Sequence, residues 1–411
     1  MTATFRGIAA RPRKLQAALT RVTETLAQEL AHPTPKAPEW SDFEWGIAKA
    51  VAAMHGVSPL LSRALRWRGP AGWMQFLEEQ RVHVTQRHAR IEKLLLQIDQ
   101  SAREAGVAIM TLKGVALHAL GLYTRGERPM ADVDLLVRPQ HAARAARLIE
   151  SLGFRESRRS WKERAFAPLE SHSAGALGEH SNNDITIELH ERICERLPLR
   201  LNDIADAVFP RDPQSGLNGY PSRAALMTHL LLHTAGEMTV KSVRLIHLHD
   251  LALVGRQMTE SDWDDLLHWD SSGLRLWWAL PPLRLTLRYY AFSVPARALR
   301  ALESECPWVL RRSARRPILS DMSLSHLWVD AFPGIEWSQS IPEMLSYAAS
   351  RIRPSAEHLA ARATSAVSDD WAADSQWSKF SQGRRIARWL TSRPIRPATM
   401  HVLRATLAEA P

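Results

Sequence analysis

The stretch "TLKGVALHALGLYTRGERPMADVDLLV", residues 111–137, combines a Lys-Gly pair and two closely spaced aspartates with apolar runs of two different periods. "VAIMTL" (107–112) and "ADVDLLV" (131–137) are short apolar runs typical of strands, and "VALHALGLY" between them has helical spacing. Side chains alternate between the faces of a strand, so Asp132 and Asp134 should project from the same face. Two carboxylates on one face repel each other unless a cation lies between them. The stretch therefore predicts a cation site on an α/β module.

A third acidic residue is predicted on a neighbouring strand. In "NDITIELHE" (183–191) the alternation is strict, with Ile187 and Leu189 on one face and Glu188 and His190 on the other. Hard divalent cations take carboxylate oxygens, and a third carboxylate allows two ions to be held. We predict that the two aspartates and Glu188 bind Mg²⁺ or Mn²⁺. An ordinary outward-facing strand residue is the alternative for Glu188. His190 is predicted to be a hydrogen-bonded structural histidine, or else to orient a ligand or deprotonate an acceptor.

The repulsion between the paired aspartates has a consequence for stability. If the two aspartates together bind Mg²⁺, Asp134→Asn should leave the metal-free protein as stable as the wild type or slightly more stable. Loss of a structural aspartate would instead cost roughly 1 to 3 kcal/mol.

The Lys-Gly pair ends the first strand, where a helix is predicted to begin. Free backbone N–H groups at a helix N-terminus suit phosphate oxygens, and Gly114 permits a close approach. Lys113 and Arg128 add positive charge. The order of phosphate turn, paired aspartates and third carboxylate predicts nucleotidyl transfer from a nucleoside triphosphate. The alternatives are a surface lysine at a strand end and an arginine paired with a neighbouring acid.

Segments with helical spacing flank this module on both sides. "FEWGIAKAVAAMHGVSPLLSRALRW" precedes it, and "ALMTHLLLHTAGEM" and "SVRLIHLHDLALVGRQM" follow it. We therefore predict an α+β fold with a helical N-terminal segment (1–105), an α/β catalytic module (106–215) and a helical C-terminal domain (216–411). Ten of the fifteen tryptophans follow residue 250, where we expect them to pack helices together.

Two groups in the C-terminal helices are candidates for contacts with a substrate. His229 and His233 lie one helical turn apart, a spacing that can hold zinc. The three leucines between them leave no glutamate for a metalloprotease, so a packed or substrate-facing role is predicted. Arg244 and Asp250, in "RLIHLHD", either form a network on the helix surface or approach the site.

Composition limits the remaining classes of function. The net charge of +10 comes from scattered arginines without a basic tract, so nucleic acid ranks last among the predicted partners. Two cysteines, Cys194 and Cys306, provide no disulfide framework. No apolar run reaches the length of a membrane span, and the N-terminus lacks the apolar centre of a signal peptide. A cytoplasmic location without membrane contact is therefore expected.

Taken together, the motifs resemble the uncharacterised nucleotidyltransferase family of the DNA polymerase β-like superfamily. The resemblance covers about residues 40–355 and depends on "LKG", "LY" at 122–123, Arg128, "DVDLLV", "LGF" at 152–154 and "IELH" at 187–190. It implies that Asp132, Asp134 and Glu188 carry the metal ions. It also implies that an NTP such as ATP donates a nucleoside monophosphate and releases pyrophosphate. The implied acceptor is a small molecule or peptide in natural-product or capsule biosynthesis.

The first motif departs from the pattern of the superfamily. Better-known members have Gly-Ser or Gly-Gly where this chain has Lys113-Gly114, so the serine hydroxyl that would contact the terminal phosphates is missing. The alternative function is therefore a non-catalytic, nucleotidyltransferase-like binding or scaffold protein that recruits a biosynthetic partner.

Overall fold

The computed structural model describes residues 11–170, 177–268, 275–354 and 380–407. Proline, whose fixed φ suits the first helical position, begins the first helix. At the N-terminus of the second helix, the carboxylate of Glu44 accepts a hydrogen bond from the backbone N–H of Ser41 (3.0 Å), which has no partner within the helix. The helices before the first strand are α1 (Pro12–Ala31), α2 (Asp42–Met54), α3 (Ser58–Ala64) and α4 (Ala71–Glu104).

A mixed sheet of six strands forms the centre of the described chain, in the order β3-β4-β5-β2-β1-β8. The neighbours β2 and β5 are parallel, whereas β1 is antiparallel to β2 and β4 is antiparallel to β5. Helices α5 (Lys113–Ala119) and α6 (Ala142–Ser151) follow β1 and β2. The strands of the sheet are β1 (Ala108–Thr111), β2 (Asp132–Val137), β3 (Phe154–Arg159), β4 (Glu163–Pro168), β5 (Thr186–His190) and β8 (Gly216–Asn218); β6 (Cys194–Leu197) and β7 (Arg200–Asp203) form a separate hairpin.

The helices that follow β7 share one hydrophobic core with the N-terminal helices. Leu19 of α1, Val51 of α2 and Leu231 of α8 belong to the same buried cluster. The domain boundaries at residues 105 and 215 stay predictions. No helix in the described ranges has both the length and the apolar character needed to cross a bilayer. The described helices that follow β7 are α7 (Ala205–Val208), α8 (Arg223–Thr239), α9 (Leu245–Gln257), α10 (Glu260–Leu267), α11 (Leu280–Tyr289), α12 (Ala296–Glu305), α13 (Trp308–Ser313), α14 (Ile341–Ile352), α15 (Gln382–Thr391) and α16 (Pro397–Leu407).

The two faces of the sheet pack against different helices. Leu135 of β2 and Leu189 of β5 lie in a core with residues of α4 and α6. Leu136 faces the other way and belongs to the large core that contains α8. Because side chains alternate along a strand, Asp132 and Asp134 share the face of Leu136. The paired carboxylates therefore face the C-terminal helices.

This architecture confirms the predicted α+β fold class. The strands predicted at 107–112, 131–137 and 183–191 are present as β1, β2 and β5. The sequence pattern does not predict β3 or β4, because their charged residues give little apolar alternation. The packing role expected for the C-terminal tryptophans holds for four that are buried and for Trp328, which is partly buried against the same core, but not for Trp308, which is exposed. The four are Trp263, Trp277, Trp278 and Trp337, and three others, Trp269, Trp371 and Trp377, lie outside the described residues.

One buried side chain of α4 ties together the beginnings of β2 and β5. Arg87 is only 3 % exposed, and its guanidinium donates hydrogen bonds to four backbone carbonyls at 2.6–2.9 Å. Two of these carbonyls immediately precede β2 and two precede β5; they belong to Met130, Ala131, Asn183 and Asp184. Arg87 thereby satisfies acceptors that the sheet leaves unpaired next to the carboxylate site.

We expect Arg87→Met to lower the free energy of unfolding by on the order of 3 kcal/mol or more, because buried carbonyls would lose a charged donor. Urea unfolding followed by circular dichroism measures this change. Arg81→Met is the matched control, since Arg81 lies exposed on the same helix and pairs only with Glu78 on the surface. Equal stability of the two variants would contradict the role assigned to Arg87.

Candidate metal centre

The parallel register of β2 and β5 brings two of the predicted carboxylates, Asp134 and Glu188, into one cluster and leaves Asp132 outside it on the same face. Asp134 lies opposite Glu188, and Asp132 lies opposite Thr186 at the beginning of both strands. The carboxylate oxygens of Asp134 and Glu188 and a ring nitrogen of His190 lie within 4.8 Å of one another. Parallel pairing keeps equivalent faces in register, so the face that carries the two aspartates also carries Glu188 and His190.

Asp134 is the most strongly compensated of the three carboxylates. Its Oδ1 accepts hydrogen bonds from Nζ of Lys113 (2.8 Å) and Nε2 of His190 (3.1 Å). Burial alone would raise the pKa of Asp134, but the charge of Lys113 and the His190 hydrogen bond hold it below its ordinary value. Burial likewise opposes protonation of Lys113, and the charges of Asp134 and Asp132 outweigh it and raise the pKa of Lys113. This corner of the site is a buried ion pair at neutral pH.

The other two carboxylates are less well compensated. Burial, followed by the charges of Asp134 and Asp132, raises the pKa of Glu188 to about 8. The nearest cation to Glu188 among the described residues is Arg158, at 3.6 Å. Burial and the charge of Asp134 raise the pKa of Asp132, which forms no ion pair within the described ranges. Without a cation Glu188 is therefore mostly protonated at neutral pH, and a bound cation would favour the ionised form of both carboxylates.

The Lys-Gly turn adopts an unusual backbone conformation. Lys113 has a φ of 43°, in the left-handed region that favours glycine, at the first residue of α5. Its backbone N–H donates to the hydroxyl of Tyr220 (3.4 Å), which in turn donates to Nδ1 of His229 (2.5 Å). A Cβ on Gly114 would collide with the guanidinium of Arg128. The strained turn thus directs Lys113 at Asp134 and leaves room for an arginine behind it.

Arg128 forms a second buried ion pair beside the carboxylates. Its Nε and Nη2 bind the two carboxylate oxygens of Asp250 at 3.0 and 2.8 Å, and Tyr123 donates its hydroxyl to the same carboxylate (2.6 Å). Two of the arrangements predicted for these residues are present in the structure: Arg128 is paired with an acid, and Asp250 is part of a hydrogen-bond network. The phosphate-binding role of Arg128 stays a prediction.

Residues of α8 and α9 form the opposite side of the site. The rings of His233 and His247 are 4.9 Å apart at 70°. Burial lowers the pKa of both rings well below the ordinary value, helped by the charge of Lys113 at His233 and by that of Arg244 at His247, so both are neutral at neutral pH. Arg244, immediately before α9, is close enough for its charge to oppose the raised pKa of Asp132.

Sequence reasoning overlooked three residues of this site. Arg87 lies in a helical segment without a motif, and His247 is one of several histidines in "RLIHLHD". Tyr220 follows a polar loop and carries no periodic signal. For His247 a signal was present, because it is three residues after Arg244, the spacing at which two side chains near a helix start can interact.

The donor set fits a hard divalent cation. Three carboxylates on one face offer the oxygen ligands that Mg²⁺ and Mn²⁺ prefer, and the raised pKa values of two of them show that they lack a compensating cation. His190 already donates Nε2–H to Asp134, so it fits better as the residue that orients this carboxylate than as a ligand. The site can hold a metal ion on the carboxylates and accept a polyanion from the side of α8 and α9.

Comparison with known proteins agrees with this geometry. A family model described as "Uncharacterised nucleotidyltransferase" matches residues 41–289, a range that contains every strand of the sheet and all the site residues described above. No curated protein and no solved structure matches the chain.

The pairing of Asp134 with Lys113 reverses the stability effect expected from the sequence. Asp134→Asn should now destabilise the metal-free protein by about 3 kcal/mol, because it leaves the Lys113 ammonium buried without its counter-charge. Asp132→Asn is the matched control: it removes an uncompensated charge and should leave the metal-free protein as stable as the wild type or more stable. Urea unfolding in EDTA measures both variants. An Asp134→Asn protein at least as stable as Asp132→Asn would show that the ion pair contributes nothing.

Proposed function

Since this chain belongs to the uncharacterised nucleotidyltransferase family, we propose that it is a Mg²⁺-dependent nucleotidyltransferase. It transfers a nucleoside monophosphate from an NTP to a small-molecule or peptide acceptor. The observation that carries the proposal is the meeting of Asp132, Asp134 and Glu188 on one face of two adjacent parallel strands. Two or three strand carboxylates are the metal ligands that phosphoryl-transfer sites use.

In the proposed reaction an acceptor oxygen attacks the α-phosphorus of the NTP. A new P–O bond forms, the bond from the α-phosphorus to the bridging oxygen breaks, and pyrophosphate leaves. Bound Mg²⁺ supplies positive charge to the phosphates and lowers the pKa of an attacking hydroxyl. Asp132, Asp134 and Glu188 hold the cation. His190 fixes the orientation of the Asp134 carboxylate through its 3.1 Å hydrogen bond.

The acceptor class follows from the family resemblance rather than from a contact in the site. We propose a hydroxyl or phosphate group on a small molecule or a modified peptide, of the kind found in natural-product or capsule biosynthesis. The scattered distribution of the basic residues gives nucleic acid the lowest rank among acceptors.

Asp134→Asn and Asp132→Asn should each reduce pyrophosphate release from the preferred NTP by about a hundredfold or more, because each removes one ligand charge from the metal site. Water serves as the acceptor of the nucleoside monophosphate in the assay, which compares the four NTPs with Mg²⁺ or Mn²⁺ and includes EDTA, which should abolish release. Glu191→Gln is the matched control, since Glu191 is exposed one residue beyond β5 and should leave turnover unchanged. A wild-type chain that binds no NTP with either ion would refute the proposed function.

A second candidate function is a non-catalytic scaffold, and one observation favours it. The Lys113 ammonium lies 2.8 Å from Asp134 and is attracted by Asp132 and Glu188 as well, so it occupies the centre of the negative charge. A lysine in that place can replace a metal ion as the counter-charge of the carboxylates. In a scaffold this ion pair would be permanent, whereas in an enzyme the metal ion must compete with it.

Lys113→Met separates these two functions through metal affinity. In the enzyme, removal of the competing ammonium should strengthen Mn²⁺ binding to the nucleotide-free protein by about tenfold, because the carboxylates lose their internal cation. Isothermal titration calorimetry with MnCl₂ measures the change. Undetectable Mn²⁺ binding by both the wild type and Lys113→Met would favour the scaffold.

A further inference from the structure

The cations around the carboxylates differ in whether they have partners. Lys113 is paired with Asp134, Arg128 with Asp250, and Arg87 with four backbone carbonyls. Arg244 is different: within the described part of the chain it forms no ion pair, and its side chain makes a single hydrogen bond, from Nε to the carbonyl of Met54 (3.1 Å). Both terminal Nη groups of Arg244 are therefore available to an external acceptor.

The position of Arg244 is nevertheless well defined. Its guanidinium packs over Gly56, where a Cβ would collide with it, and Gly56 has a φ of 65° that favours glycine. The side chain is partly exposed rather than buried. An arginine that is positioned by the protein but not neutralised by it has the properties of an anion-binding residue.

The neighbouring His247 offers a second donor. Nδ1 of His247 accepts a hydrogen bond from the backbone N–H of Arg244 (3.3 Å), so in the neutral ring the proton is on Nε2. His233 packs against this ring from α8, and it lies close enough to Lys113 for the charge of that lysine to act on it. Arg244, His247 and His233 thus form a continuous edge from Asp132 to Lys113, which we term the helical wall.

We propose that the helical wall binds the β- and γ-phosphates of the NTP, the part that leaves as pyrophosphate. This inference rests on the proposed function and deepens it. The guanidinium of Arg244 donates two parallel hydrogen bonds to phosphate oxygens, and Nε2–H of His247 donates a third. The contacts to the terminal phosphates that the missing serine of the first motif would provide thus come from residues of α8 and α9. The strand carboxylates would hold the metal ion, which supplies further positive charge to the phosphates.

Inorganic tripolyphosphate with excess Mg²⁺ is the probe, because it carries the phosphates without a base or a transferable nucleotide. Calorimetry on the full chain should give an affinity that Arg244→Gln weakens by about ten- to a hundredfold, the loss expected for charge-assisted hydrogen bonds. The affinity of Arg244→Lys for tripolyphosphate should lie between those of the wild type and Arg244→Gln, since lysine keeps the charge but loses the paired donors. His247→Ala should weaken binding by a smaller factor.

Arg256→Gln is the matched control, because Arg256 is an exposed arginine on the same helix. Tripolyphosphate binding that Arg244→Gln leaves unchanged, or that Arg256→Gln weakens equally, would overturn the inference. So would a wild-type chain that does not bind the probe. Should Arg244→Gln fail to fold, Arg244→Lys and His247→Ala provide the same comparison.

The experiment also separates this inference from the proposed function. Tripolyphosphate binding that depends on Arg244, in a chain that releases no pyrophosphate from any NTP, would support the helical wall and refute catalysis. Pyrophosphate release from an NTP that Arg244→Gln does not impair, together with unchanged tripolyphosphate affinity, would support catalysis and refute the helical wall.

Discussion

The four hydrogen bonds of Arg87 are the constraint on which the geometry of the site depends. Parallel strands such as β2 and β5 have no turn between them to set their register, so their relative position must come from packing and from contacts at their ends. Arg87 reaches both ends at once from α4, and the residue after one of its acceptors, Ala131, is Asp132. A small shift of either strand would break two of the four bonds. The spacing of the carboxylates is therefore coupled to a side chain that belongs to neither strand.

With the strands held in register, the electrostatics of the site follow from unequal compensation. Asp134 has two hydrogen-bonded partners, whereas Asp132 and Glu188 lie in the same low-dielectric region with much weaker ones. If every carboxylate were fully paired, a metal ion would have no reason to bind. If none were paired, the burial of their charges would destabilise the folded state. The observed state lies between these limits: one carboxylate stabilises the fold, and the other two have raised pKa values that a bound cation would lower.

The sequence predicts the features of this arrangement that involve neighbouring residues, and few of those that involve residues far apart in the chain. Period-two spacing placed Asp132 and Asp134 on one face, and the alternation in β5 placed Glu188 and His190 together, because these are properties of neighbouring residues. The partners of Arg87 are 43 to 97 residues away, and Asp250 is 122 residues from Arg128. No periodic signal connects residues at such separations. The two expectations for Asp134→Asn differ for the same reason: the sequence pattern assigns Lys113 to the phosphates, whereas in the folded chain it meets the carboxylate of Asp134.

The N-terminal helices contribute to the site in a way that their own sequence does not indicate. The first backbone N–H groups of a helix need acceptors, and at the beginning of α9 the N–H of Leu245 donates to Nδ1 of His55 (2.9 Å). Burial and the charge of Arg244 lower the pKa of His55 to about 3, so the ring remains neutral and able to accept this bond. Met54 and Gly56, on either side of His55, contact the side chain of Arg244. Three consecutive residues at the end of α2 thus cap α9 and position its arginine. Because α1 to α3 share their core with α8 and α9, the packing of the N-terminal helices also determines where the helical wall lies relative to the strand carboxylates.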